Sequence, residues 1–156
     1  MIVFPRFILS LLLVASAMEL VGAPMSAQDT SDSKTLDCRG WTTKVLGQQE
    51  MNLCAGRDAD TQREKLQKLV GELRDKLSAR EPDQWAHLEA NQESWRDFVE
   101  RDCKWEAAFS GGGSIQALVH ARCLADATAR RIARLRIFLC EGEGLAGECP
   151  ESKRYE

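Results

Sequence analysis

Proline is scarce. The 156-residue chain has only Pro5, Pro24, Pro82 and Pro150, so nothing interrupts the backbone between Thr42 and Arg80 or through the sixty-odd residues after Pro82. Such stretches leave room for long helices, which an interior proline would break. Histidine is nearly missing as well, and neither His87 nor His120 has a second histidine at ligand spacing. With no CxxC pair either, the sequence predicts no metal site and no cofactor. GxSxG and similar nucleophile motifs are absent, and helical acids occur too widely to single out an acid/base pair. No catalytic residue is predicted, and the chain reads as a binding protein rather than an enzyme. Charge of one sign is lacking too. Lys and Arg number 21 against 24 Asp and Glu, a formal net charge of −3. That balance excludes wholesale nucleic-acid binding and suits contact with a basic partner. Finally, no alternating apolar pattern is long enough for a sheet.

One apolar run is present. After Arg6, "FILSLLLVASAM" is too short to span a bilayer, is followed by Glu19, and gives way to the small residues of "VGAPMSAQD". Residues 1–27 therefore read as a secretory signal peptide cut after Ala27, with Ala17 as a second possible site. No cysteine precedes Cys38, so no lipid anchor is expected near the cut, and the mature chain is expected to be exported, periplasmic or secreted, without a membrane span. Residues 28–36 have the composition of a disordered linker.

The six cysteines, Cys38, Cys54, Cys103, Cys123, Cys140 and Cys149, all follow that segment. An even number in an oxidising compartment reads as three disulfides. Six cysteines allow 15 pairings. Short loops close at lower entropic cost, and order along the chain suggests Cys38 with Cys54, Cys103 with Cys123, and Cys140 with Cys149.

Apolar residues from Met51 to Leu77 recur at threes and fours, predicting a long first helix with a possible break near Gly56. Pro82 opens a second, whose expected buried stripe is Trp85, Leu88, Gln92, Trp95, Phe98, Val99 and Cys103. "SGGGS" ends it, and Ser114 is expected to cap a third helix with the stripe Leu118, Ala121, Ala125, Thr128, Ile132, Leu135 and Leu139. The fold class is all-α, a small antiparallel bundle of about three main helices stapled by disulfides over residues 37–140. Residues 141–156 are expected to form an irregular tail tied back by its own cysteine pair.

Two surfaces are candidates for binding. One is the loop from Trp105 to Ser114, with Phe109, Gly112 and Gly113, held at its base by Cys103 and Cys123. Preorganising such a loop lowers the ordering cost of association. The glycines before a helix also match an anion cradle, but no phosphate-loop lysine is present and a loop with a serine cap explains them equally. The other candidate is the strip Arg130, Arg131 and Arg134, which could meet peptidoglycan or an acidic protein. The preferred reading pairs these arginines with acids of the first two helices, such as Glu72, Glu93 and Glu100. Of the tryptophans, Trp85 and Trp95 are expected in the core. Trp41 and Trp105 are either packing residues beneath the disulfides or surface anchors.

The order of residues then becomes specific. "DCRGWTTKVLGQQEMNLCA", "LQKLVGEL", "NQESWRDFVERDC", "GGGS" and "CLADATARRIARL" resemble the N-terminal domain of the LprI-type lysozyme-inhibitor family, up to about Leu135. The family's aromatic-Arg-Asp run is altered here, since Val99 and Glu100 follow Phe98 and Arg101-Asp102 lie nearer the cysteine. Cys140 and Cys149 fall outside the shared pattern. The resemblance implies a small, secreted, helical domain with a protein partner, lysozyme in some relatives, inhibited by cleft blocking. A structural or envelope-stress domain binding a periplasmic protein or peptidoglycan is the alternative.

Overall fold

The computed structural model describes residues 36–140 and 149–156, so the expected signal peptide, all but Leu36 of the expected linker, and residues 141–148 lie outside the described residues. A 3-10 turn at Trp41–Thr43 leads into α1 (Gln48–Arg80), α2 (Pro82–Ala108) and α3 (Ser114–Leu135). A second 3-10 turn, Arg136–Leu139, and the single helical turn α4 (Pro150–Lys153) follow.

Helix α1 runs 33 residues as one continuous helix, so the break that Gly56 allowed does not occur. An interior glycine costs about 1 kcal/mol relative to alanine, and the flanking Cys54, Ala55 and Ala59 are all buried. That burial, together with the disulfide at Cys54, holds the helix through the weak point. At its start the Glu50 carboxylate accepts from the Gly47 N–H at 2.8 Å. Only Glu81 separates α1 from α2, forming an elbow in which its N–H donates to the Leu77 carbonyl. Pro82 occupies the first turn of α2, where its missing N–H has no intrahelical partner to lose. The chain goes up, down and up, so α1 and α3 run the same way with α2 antiparallel to both. Helix α3 packs chiefly on α1.

The bundle has a glycine end and an elbow end, each with its own apolar cluster. Towards the glycine end Trp41, Cys54, Ala55 and Leu118 are buried together. Towards the elbow Leu66, Leu69 and Leu73 of α1 meet Ile132, Leu135, Leu139 and Tyr155. Complete burial of a leucine such as Leu69 or Leu73 stabilises by about 1.5–3 kcal/mol.

Three disulfides staple the described residues in the order suggested by the sequence, Cys38–Cys54, Cys103–Cys123 and Cys140–Cys149, with Cα separations of 5.3, 5.5 and 5.6 Å. The region from Cys149 onward is more regular than the expected tail. After the α4 turn Tyr155 enters the elbow core, and its hydroxyl donates to Glu72 at 2.7 Å. Arg154 pairs with the same carboxylate at 2.9 Å. Among the described residues no helix is long and apolar enough to cross a membrane.

Candidate functional site

Helix α2 buries a single narrow seam of Gln92, Val99, Cys103 and Ala107, spaced by seven, four and four residues. Side chains two positions from the seam residues lie about 160–200° round the helix, on its far side, and face outward. Trp105 is 64 % exposed and Phe109 76 % exposed. They are four residues apart, neighbours on the helix surface, and their rings meet edge to face with centroids 4.9 Å apart. Of the two tryptophans left open by the sequence, Trp105 is therefore the surface residue. Trp41 is buried, donates from Nε1 to Asp58 at 2.6 Å and lies 6.0 Å beneath the Arg122 guanidinium.

The chain beyond Phe109 is shaped by glycine. Gly111, Gly112 and Gly113 have φ of 77°, 85° and 71°, backbone that other residues adopt only with strain. Gly113, with ψ of −165°, is the N-cap of α3, and no side chain caps that helix. Ser114 is the first helical residue, which corrects the expected serine cap. Its carbonyl accepts from Asn52 Nδ2 at 2.9 Å, tying the loop to α1. With Cys103–Cys123 at the base, Trp105, Phe109 and the glycines sit on a turn braced from two sides.

The arginines behave differently from the preferred reading. Arg131 spans from α3 to α2 and donates to the side-chain carbonyls of Gln92 and Asn91, with its guanidinium 5.4 Å from the Trp95 ring. Burial, and secondarily the charge of Arg134, push its pKa down from the usual guanidinium value. It is a bundle tie made through amides rather than acids. No described ion pair joins Arg130, Arg131 or Arg134 to an acid of α1 or α2. Glu72 is taken by Arg154, and Glu100 by Lys104 at 3.0 Å. Arg130 and Arg134 are exposed on α3.

Phe98, Trp85 and Trp95 are less enclosed than expected. Phe98 is 59 % exposed, because Val99 beside it takes the seam. Trp85 and Trp95 are half-buried, Trp95 packing against the elbow cluster, and both line a cleft of about 700 Å³ between α1 and α2. Gly71, whose missing side chain leaves open space on the α1 wall of that cleft, is the sequence signal that could have revealed it. Among the described residues no group of three or more His, Cys, Asp or Glu could hold a metal ion.

No curated protein and no solved structure gives a significant match to the chain. The sequence profile of the family described as Lysozyme inhibitor LprI matches residues 38–135, from the first disulfide cysteine through the end of α3. Trp105, Phe109, the glycine turn and Arg131 all lie within that span, and the chain belongs to the LprI lysozyme-inhibitor family.

Proposed function

We propose that the protein inhibits a lysozyme-type muramidase by inserting the Trp105–Phe109 edge of the glycine end into the enzyme's cleft, acting in the periplasm or outside the cell. The observation that carries this reading is the exposure of two packed aromatic rings beside a turn braced by Cys103–Cys123 and by the Asn52 bond to Ser114. Large exposed aromatics are favoured binding anchors, and here their order is fixed before contact, so association costs less entropy. Inhibition is by occlusion and requires no chemistry from the chain. A net charge of −3 gives a modest attraction to a basic enzyme and raises the encounter rate.

A titration of lysozyme activity with the disulfide-bonded protein tests the proposal, with a reduced and alkylated sample as control. Dose-dependent inhibition that disappears on reduction is expected. Full activity of several lysozymes at large excess of the protein sinks it.

A further inference from the structure

We propose that the open cleft at the elbow end of the bundle is a second ligand site, and that its ligand is a carboxylate-bearing saccharide. The cleft, about 1010 Å³, lies where the last turns of α1, the first half of α2 and the end of α3 meet. From Leu88 on its wall to Trp105, 17 residues of α2 place it about 25 Å from the exposed aromatic pair. It is therefore independent of the inhibitory reading.

The lining fixes the sign of the ligand. Among the described residues, Lys76, Arg131 and Arg134 line the cleft, with Glu81 the acid beside them. Two of these cations are held in place by neutral acceptors: Lys76 Nζ donates to the Leu139 carbonyl, and Arg131 to Gln92 and Asn91. Neutral acceptors orient these groups without cancelling their charge, so Lys76 and Arg131 both present positive charge at the cleft. Arg134 is exposed and enters none of the ion pairs among the described residues, which leaves its planar fork for a carboxylate.

The remaining surface fixes the kind of molecule. Phe138, 49 % exposed, lines the cleft together with Leu77 and supplies apolar surface suited to the C–H face of a sugar ring. Gln84, His87 and Asn91 of α2 add hydrogen-bonding groups to the lining, as hydroxyl and acetamido groups require. The volume is at the top of the range for small-ligand sites. A flat acidic protein surface would leave this concavity unfilled.

The test is calorimetric titration of the whole disulfide-bonded protein with an N-acetylmuramic-acid-containing disaccharide, neutral chitobiose, acetate and an acidic peptide. The carboxylated disaccharide is expected to bind, and chitobiose about tenfold or more weakly, the loss of one charge-assisted contact. Arg134→Ala and Phe138→Ala are each expected to weaken the disaccharide about five- to tenfold, with melting temperature and lysozyme inhibition unchanged. Any of four results overturns the proposal: no disaccharide binding, equal binding of chitobiose, equal or tighter binding of acetate or the acidic peptide, or full affinity retained in both variants.

Discussion

At the glycine end the core is one tryptophan with small residues and Leu118, whereas at the elbow end six leucines and isoleucines enclose a tyrosine. The glycine end carries two disulfides, Cys38–Cys54 and Cys103–Cys123, and the elbow end one, Cys140–Cys149. Covalent bracing is thus heaviest where apolar burial is thinnest. The same end leaves Trp105 and Phe109 in water, forgoing the stabilisation their burial would provide. The elbow end is held by packing, and its charged groups surround a concavity instead of a protruding edge.

Substitutions at the two ends should separate these modes of stabilisation. The largest effect is expected in the elbow core, where Leu69→Ala should cost about 2–5 kcal/mol in a urea titration. Next come the disulfides. In the chain-entropy account, removing Cys103–Cys123, with a separation of 20 residues, should cost about 3 kcal/mol, and removing Cys140–Cys149, with a separation of 9, about 2.5 kcal/mol. A greater loss at the elbow would contradict the view that the glycine end depends more on its staple. Gly113→Ala forces a side chain into glycine-only backbone and should cost about 1–3 kcal/mol, although nothing crowds the position.

A finer test uses pH. Tyr155 is the only tyrosine, and burial, then its hydrogen bond to Glu72, push its pKa up to about 12 from the ordinary tyrosine value near 10. The raised value means that the folded state holds the phenolic proton more tightly than the unfolded chain does. The resulting stability is fully present below pH 10 and is lost as pH rises towards 12. Tyrosinate absorbance should therefore titrate near 12 in the native protein and near 10 in denaturant. Tyr155→Phe should flatten the fall in stability across that window. Native titration near 10 would place Tyr155 outside the elbow core.

Much of the fold was legible because it depends on local rules. Pro82 marked a helix start, glycines marked the turn, and nearest-neighbour cysteines paired, whereas the helical turn opened by Pro150 fell in the expected irregular tail. Periodicity was less informative about α2, which buries one narrow seam. A stripe wide enough to include Trp85, Trp95 and Phe98 assumes tight packing across a broad face, whereas α2 meets α1 and α3 through a narrow seam that leaves both tryptophans half-buried at an open cleft and Phe98 exposed. Long-range polar choices were also hidden. Nothing in spacing alone could tell that Arg131 would select the amides of Asn91 and Gln92 over the many nearby acids, or that Tyr155 would return to α1. Of the candidate site, Trp105, Phe109 and the glycines could be read from their position between two cysteines. The elbow cleft could not, since residues from three helices form it.

The central claim is that the glycine end acts on the enzyme while the rest of the bundle holds it rigid. The most direct measurement is lysozyme inhibition by the double variant Trp105→Ala, Phe109→Ala beside the parent protein, with melting curves for both. Both side chains are exposed, so stability should stay within about 0.5 kcal/mol, while inhibition falls by at least about tenfold. Undiminished inhibition by a folded double variant would contradict the claim.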